Sequence, residues 1–337
     1  MCAYQKLGFY CKKTINNSMS RVKDLRKKVL YEIYVNGIEN YFEKLETRLK
    51  LKKSTVNYII EKLKEESYFT KTKYEINLNT LGVGNFAWVL LSINWDALNP
   101  DLFVKKLLKL TQVVTVADIT GENDIAIKII GSSIVNVSAF ILMMEKLFDG
   151  TIIDNKVYFA NKEYKRHYLA VQKNNHFFPS EIDCQILYEK MENPQIKLSE
   201  IAQKYKLHRN TVSNRWEKLW EAGVIVKELP DLTQKGYEEL QMGLKAFILI
   251  KPNPGKENKI INILMKNPEI QDIFTTISNE IILILRTENS NTLADAHKYL
   301  TKTDGSIKRT NTSIFLTKNA KNSLGLSEIK NIMFKSK

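Results

Sequence analysis

The strongest constraint on this chain is an internal repeat with a spacing of 156 residues. Residues 42–69 align with residues 198–225 without a gap, and the same spacing places the apolar pattern of residues 104–108 on residues 260–264. Asn123-Asp124-Ile125 falls on Asn279-Glu280-Ile281 at this spacing as well. A repeat of this kind predicts one structural unit of roughly 150 residues that occurs twice. The function of the chain can therefore be inferred from one half, and a separate question is why two halves are joined.

Charge distribution favours a polyanionic partner. The net charge is +14, and residues 1–80 carry +8 of it, whereas residues 81–170 are neutral. A local basic excess attracts polyanions such as DNA. The alternative is a set of solvated lysine faces without a specific partner.

Composition excludes several other classes of protein. No run of eighteen apolar residues exists, so no membrane-spanning helix is expected, and residues 1–10 lack the apolar stretch of a signal peptide. The three cysteines are scattered, which suits a reducing cytoplasm, and no His or Cys group has metal-ligand spacing. We expect a cytoplasmic protein that binds no membrane, metal or cofactor.

Each half begins with apolar spacing that is typical of three helices. In the first copy these cover residues 21–34, 39–49 and 54–66, and in the second the third helix is predicted over Asn210–Glu221, ending at Gly223. Residues 68–78 then alternate loosely, which predicts the strands of a small hairpin. Three helices and a hairpin form a winged helix-turn-helix.

A different pattern follows each trihelical unit. Strand and helix spacing alternate in the order βαββαβ, which is the ferredoxin-like arrangement. The predicted class is therefore α+β, with two winged helix-turn-helix domains that are each followed by a βαββαβ domain. The predicted boundaries are a tail at 1–20, the first helical domain at 21–80, the first βαββαβ domain at 81–162, a polar linker at 163–179, the second helical domain at 180–232, the second βαββαβ domain at 233–320 and a tail at 321–337.

This combination resembles the Lrp/AsnC (feast/famine) family of transcription regulators. The best-matching segment is Asp183–Ile225, which contains Leu198-Ser199-Glu200-Ile201-Ala202, Thr211-Val212 and Glu221-Ala222-Gly223. Residues 119–124 are similar to the Gly-x-x-Asp hairpin of the family's effector-sensing domain. The resemblance implies a sequence-specific DNA-binding regulator in a tandem duplicated form. Family members act as dimers, so it further implies a homodimer or a pseudo-dimeric monomer.

The third helix of each copy is the expected recognition helix, which places its N-terminal half in the major groove of double-stranded DNA. The family usually begins this helix with a Ser cap; here Lys52 and His208 occupy that place, and the cap is expected to move to Ser54 and Asn210. Arg pairs well with guanine, Asn with adenine, and Lys or hydroxyl groups with phosphate. The candidate DNA contacts are Lys52, Lys53, Ser54, Asn57, Tyr58, His208, Arg209, Asn210, Ser213, Asn214 and Arg215, with Lys71 and Lys73 on the wing. Of these, Arg215 is expected to brace its helix or contact phosphate rather than read a base.

The loop Thr120–Asp124 has two interpretations. Gly, Asn and Asp are ordinary residues of a tight turn. By resemblance to the family, Thr120, Gly121 and Asp124 would instead contact a small effector such as an amino acid, with a free carboxylate on Asp124 meeting an amino group.

Two other functions remain open at this stage. The chain could be a sensor or corepressor that does not bind DNA, or an enzyme similar to the siroheme decarboxylases, which resemble this family. No nucleophile–base or paired-carboxylate constellation stands out, so we expect no catalysis. Two unlike recognition helices in one chain also suggest an asymmetric operator rather than a palindrome.

Overall fold

The computed structural model describes residues 21–37, 49–81, 84–167, 169–170, 177–267, 269–302, 306–316 and 319–320. The helix predicted over residues 39–49 falls almost entirely outside these ranges, as do the two predicted tails. The α+β class is confirmed. No helix among the described residues is long and apolar enough to cross a membrane.

Two helical units, which we call head one and head two, lie in residues 21–81 and 177–232. Head one contains α1 (Arg21–Asn36), α2 (Lys53–Glu65) and strand β1 (Phe69–Ile76). Head two contains α5 (Glu181–Glu192), α6 (Leu198–Lys204), α7 (Arg209–Glu221) and strand β7 (Ile225–Leu232). Helices α2 and α7, and strands β1 and β7, are related by the offset of 156 residues.

Each head contributes one strand, β1 or β7, where the sequence predicted a two-stranded hairpin. This prediction was wrong. The two strands pair with each other in antiparallel orientation, with Thr72 opposite Pro230 and Tyr74 opposite Glu228. Alternating polarity identifies a strand but not its partner, and in this chain the partner lies in the other half. Because the pairs map onto one another under the repeat offset, the two heads are related by a pseudo-two-fold axis.

Each half also contains a four-stranded βαββαβ sheet. The first consists of β2 (Asn85–Ile93), α3 (Pro100–Lys109), β3 (Val113–Asp118), β4 (Ile125–Gly131), α4 (Ile134–Leu147) and β5 (Ile152–Arg166), followed by a short strand β6 (Leu169–Ala170) that pairs with the end of β5. The second follows helix α8 (Gln234–Glu239) and consists of β8 (Leu244–Pro252), α9 (Glu257–Leu264), β9 (Ile270–Thr276), β10 (Ile281–Thr287), α10 (Ser290–Lys302) and β11 (Ile307–Ile314). The strand orders are β5-β2-β4-β3 and β11-β8-β10-β9, so both sheets have the same topology.

The two sheets join into one. Strand β5 continues past its first sheet, and residues 160–165 pair with β9, while the short strand β12 (Asn319–Ala320) pairs with β3. Residues 163–166, where the sequence predicted the beginning of a polar linker, therefore complete strand β5. Their polarity misled the prediction because part of it is buried: Lys165 is only 4% exposed.

Aromatic side chains fill the space between the inner faces of the sheets. The ring centroids of Phe86 and Phe274 lie 5.1 Å apart, and those of Trp88 and Phe247 lie 5.6 Å apart. Helices α3 and α4 cover the outer face of the first sheet, and α9 and α10 cover that of the second. Each half thus supplies half of a shared central core.

Candidate nucleic-acid interface

The first turns of helix α2 present polar side chains to solvent. Val56, Ile59 and Leu63 are buried against α1, so the remaining faces point outward. The exposed set contains the five candidates of this helix, Lys52, Lys53, Ser54, Asn57 and Tyr58. The helix begins at Lys53 after an extended Lys52 that makes no side-chain cap, so the predicted shift of the cap to Ser54 was wrong. An uncapped N-terminus carries a partial positive charge that favours phosphate.

Helix α7 occupies the equivalent place in head two. Val212 and Leu219 are buried, whereas His208, Arg209, Asn210 and Asn214 are exposed and Ser213 is half-buried. The predicted cap at Asn210 was also wrong: His208 caps the helix, because its Nδ1 accepts a hydrogen bond from the backbone N–H of Asn210 at 3.2 Å. The side chain of Asn210 consequently stays on the outer surface.

Arg215 is held within head two. Its Nη1 lies 3.1 Å from Oδ2 of Asp183 and donates to Oγ of Ser180 at 3.3 Å. Ser180 and Asp183 form the capping box of α5, and Asp183 is only 1% exposed. Arg215 therefore ties the recognition helix to α5, a role that differs from contact with a base.

The two wing lysines have different surroundings. The Nζ of Lys73 lies 2.8 Å from Oδ1 of Asp231 and forms an ion pair across the β1–β7 pair of strands. Lys71 is exposed at the start of β1. The structure thus argues against a phosphate contact by Lys73 and leaves Lys71 available.

The loop Thr120–Asp124 uses its polar groups internally. Oδ2 of Asp124 accepts from the backbone N–H of Ile93 at 2.8 Å, and Oγ1 of Thr120 accepts from the N–H of Ile314 at 2.9 Å. Gly121 has φ of +116°, a turn conformation that favours glycine. The carboxylate of Asp124 is therefore hydrogen-bonded and not free, although a free carboxylate was expected. The loop instead connects the two halves, because Thr120 contacts Ile314.

Sequence reasoning missed a cluster of charged residues beneath the heads. Glu163 and Arg166 form a buried ion pair, and Glu75 and Asp272 lie near them around a cavity of about 280 Å³. The available signal was a lysine in an otherwise apolar strand, Lys128 within Ile125–Ile130. A cation at such a position needs a partner, and the sequence does not identify it.

Comparison with known proteins identifies a DNA-binding unit in head two. A family model described as winged helix-turn-helix DNA-binding matches residues 179–226, which cover most of head two. The HTH-type transcriptional regulator FL11 of Pyrococcus furiosus is 32% identical over 114 residues, which are 34% of this chain and 74% of that protein. FL11 of Pyrococcus horikoshii is 34% identical over 116 residues, with the same coverage of 34% and 74%.

The arrangement of the whole chain also has a known counterpart. The crystal structure of the siroheme decarboxylase NirDL matches with a TM-score of 0.61 over 92% of this chain and 99% of that one, at 9% identity. This likeness concerns the fold alone. The chain is more than 30% identical to the two regulators over about three quarters of their length, and it contains the matched winged helix. It also has heads and βαββαβ sheets in the expected order. The chain therefore belongs to the Lrp/AsnC family of DNA-binding transcriptional regulators.

Proposed function

We propose that this regulator binds double-stranded DNA as a built-in pseudo-dimer, with α2 and α7 each entering a major groove. The observation that carries the proposal is the pseudo-two-fold relation between two helices whose first turns are polar and exposed. Dimeric helix-turn-helix proteins reach successive major-groove faces about 34 Å apart, or multiples of this distance. One chain with two heads provides that geometry without a second copy.

The repeat is best explained as a tandem duplication of a single-head regulator. The same offset relates α2 to α7, β1 to β7 and β4 to β10. At the end of the recognition helix, Ser67 (φ +61°) corresponds to Gly223 (φ +69°). Under this proposal, fusion allowed the two heads to diverge, which separate identical subunits cannot do.

Arg209 and Asn210 are the proposed base-reading residues of head two. Both are exposed at the N-terminal end of α7, and their side chains are suited to bidentate pairing with guanine and adenine. In head one, Lys52 and Lys53 would hold phosphates beside the uncapped start of α2.

A salt-series titration of the purified chain on duplex DNA tests the proposal. If about six to eight phosphates are neutralised, log affinity should fall against log salt with a slope near −5 to −7. Arg209→Ala/Asn210→Ala and Lys52→Ala/Lys53→Ala should each weaken binding. The matched control is Lys105→Ala/Lys106→Ala, which removes two exposed lysines from the outer helix α3 and should change little.

The outcomes separate the candidate roles. Loss of binding in both head variants supports two working heads, whereas loss in one identifies a single reading head. No binding by the wild-type chain at low salt would contradict the proposal and favour the sensor or corepressor alternative.

We further propose that the chain acts by binding rather than by catalysis. The relatives that share 32–34% identity are named as transcriptional regulators, whereas the decarboxylase likeness rests on fold at 9% identity. A haem-type absorbance band in the purified chain would count against this part of the proposal. Control of DNA binding by a small effector is also part of the proposal.

A further inference from the structure

Helix α4 carries a row of apolar side chains on its solvent side, away from the first βαββαβ sheet. The row, which we call the α4 row, consists of Val135, Ala139, Leu142 and Met143. Val135 is 78% exposed and Leu142 is 59% exposed, whereas Met144 on the inner side of the helix is buried. Adjacent large apolar side chains in water are unfavourable, and a row of them indicates a surface that another segment covers.

The equivalent helix of the second half, α10, is polar at the corresponding positions. At the repeat offset of 156 residues, Asn291, Asp295 and Lys298 stand in place of Val135, Ala139 and Leu142. All three polar side chains are exposed, and Nζ of Lys298 lies 3.5 Å from Oδ1 of Asp295. The βαββαβ fold therefore does not require an apolar outer face, and the α4 row points to a contact that only the first half makes.

The last described strand directs the chain toward α4. Strand β12 pairs with β3 in antiparallel orientation, with Ala320 opposite Thr115, so the chain at Ala320 points toward Gln112. Nε2 of Gln112 donates to Oδ1 of Asn136, in the first turn of α4, at 2.7 Å. Three residues of extended chain span about 10 Å, which is the distance along β3 from Thr115 to Gln112. The residues that follow Ala320 thus start beside the α4 row.

Residues 321–337 have the length and the composition to cover this row. After about three residues that reach α4, about 14 remain, and the row extends over only about 12 Å at a helical rise of 1.5 Å per residue. Leu326, Ile329 and Met333 recur at i, i+3 and i+7, which is the spacing of one apolar helix face. An apolar face of this kind matches the α4 row in character and in extent.

The pseudo-two-fold axis explains why only one of the two helices has such a row. Strand β5 runs on to pair with β9, as β12 pairs with β3, so the two strand edges are equivalent. The chain after β5 continues into head two, whereas the chain after β12 continues into residues 321–337. The segment that is equivalent to residues 321–337 is therefore occupied elsewhere, and α10 has kept a polar surface.

We propose that residues 321–337 bind along the α4 row, with Leu326, Ile329 and Met333 against the exposed side chains of α4. The second half thereby fastens its C-terminal segment to the outside of the first half. The bound segment also separates the row from other molecules, so that one chain remains a single pseudo-dimer. DNA binding by the heads is not required for this contact.

Tryptic cleavage after Lys330 in the folded full chain measures the contact. A free peptide of residues 321–337 gives the rate for an uncovered segment, and mass spectrometry follows the fragments C-terminal to Lys330. The bond should be cut at least tenfold more slowly in the chain than in the peptide, because a protease cuts a bound segment only after it has left the surface. Equal rates in chain and peptide would overturn the proposal.

A substitution in the α4 row identifies the surface. Leu142→Lys introduces the side chain that α10 has at this position, and it should speed cleavage after Lys330 at least fivefold. Ile277→Lys, the same kind of change at an apolar residue of the second half that is 54% exposed, should leave the rate unchanged. Because Leu142 is exposed, its variant should keep the Tm of wild type. Equal cleavage rates in the two lysine variants would overturn the proposal.

Substitutions in the segment itself provide the second half of a double-mutant cycle. Leu326→Asp should speed cleavage as Leu142→Lys does, and Asn322→Asp, which also adds a carboxylate, should not. Since both changes remove one contact, the chain with Leu142→Lys and Leu326→Asp should be cut no faster than the faster single variant. Fully multiplicative effects would show that the two residues do not meet, and would contradict the proposal.

Sedimentation velocity separates this contact from its main alternative, in which a second copy of the chain covers the row. Wild type should sediment as one chain, and Leu326→Asp, which uncovers the row, should associate as its concentration rises. Adding Leu142→Lys to that variant should restore the single chain. A wild-type dimer that Leu142→Lys dissociates, with Lys330 cleaved as fast as in the peptide, would assign the row to a second copy and overturn the proposal.

Discussion

Arg215 lies on the recognition helix α7, where a DNA contact could be expected, but its side chain contacts residues within head two. We predict that Arg215→Met lowers the free energy of unfolding by about 2 kcal/mol, because the buried Asp183 carboxylate loses its charged partner. The slope of log affinity against log salt should remain unchanged, since Arg215 neutralises no phosphate. Denaturant unfolding and a salt series measure the two effects.

A comparison on the same helix makes this test specific. Arg209→Met removes an exposed cation of α7, and its salt slope should become shallower by about 1 while stability stays nearly constant. The opposite pattern, a shallower slope in Arg215→Met with full stability, would show that Arg215 contacts phosphate.

Two buried lysines should make the stability of the protein depend on pH. Burial lowers the pKa of Lys165 and of Lys227 to about 8. Between about pH 8 and 10 the unfolded chain then binds more protons at these groups than the folded chain does, so stability rises with pH. Each lysine can contribute up to about 1.4 kcal/mol per pH unit in this window.

Substitution of each lysine in turn measures this contribution. Lys165→Met and Lys227→Met should each flatten the rise in unfolding free energy between pH 8 and 10. The exposed Lys105→Met serves as the control and should retain the full slope. A slope that is the same in all four proteins would show that neither lysine is desolvated in the folded state.

At the scale of elements, residues of helix α8 and its N-cap connect the two halves through hydrogen bonds. Thr233 and Lys235 donate to the carbonyls of Tyr68 and Glu66, at the junction between α2 and β1. A Cβ on Gly236 would lie 2.2 Å from the carbonyl oxygen of Tyr68. We predict that Gly236→Ala destabilises the protein by about 1–3 kcal/mol, because backbone must move to admit the methyl group.

Another glycine provides the matched control. A Cβ on Gly243 would lie 3.4 Å from Cγ of Glu238, which is ordinary van der Waals contact. Gly243→Ala should therefore be neutral within about 0.5 kcal/mol. Equal stability of the two alanine variants in denaturant unfolding would mean that α8 does not lie against Tyr68.

The elements also show which features can be predicted from sequence. Apolar spacing identified the buried Val56 and Val212 and the exposed faces of both recognition helices, because a helix depends on its own periodicity. Strand partners and buried charges could not be identified in this way. The pairing of β1 with β7, the commitment of Lys73 to Asp231 and the burial of Lys165 all depend on contacts more than 100 residues apart in sequence.

At the scale of the whole molecule, the core between the inner faces of the two sheets is complete only when both halves are present. We predict that residues 21–170 and 177–320, expressed together as separate chains, form a 1:1 complex. The aromatic contacts of Phe86 with Phe274 and of Trp88 with Phe247, and the pairing of β5 with β9, cross between the halves. Co-purification through a tag on one half measures assembly, and Phe274→Asp should weaken it. Two halves that fold as stable, separate monomers would contradict this view.

The two heads differ at positions that the pseudo-two-fold axis makes equivalent, and this difference should appear in the operator. Helix α2 presents Lys52, Lys53 and Tyr58 where α7 presents His208, Arg209 and Asn214. Side chains that differ in this way contact different base edges, so the two half-sites should be unlike. Selection of binding sites from random duplex DNA is expected to return an asymmetric sequence, and a perfect palindrome would contradict the prediction.

A chain with two identical reading surfaces tests the cause of that asymmetry. The residues of head one can be replaced by their counterparts in head two through the changes Lys52→His, Lys53→Arg, Ser54→Asn, Asn57→Ser and Tyr58→Asn. All five positions are exposed, so the buried side of α2 is unchanged and the fold should be retained. The selected site should then become palindromic while the half-site spacing stays the same, because spacing depends on the paired strands and the shared core rather than on the recognition side chains. Selection that still returns the original asymmetric site would show that head two alone determines specificity.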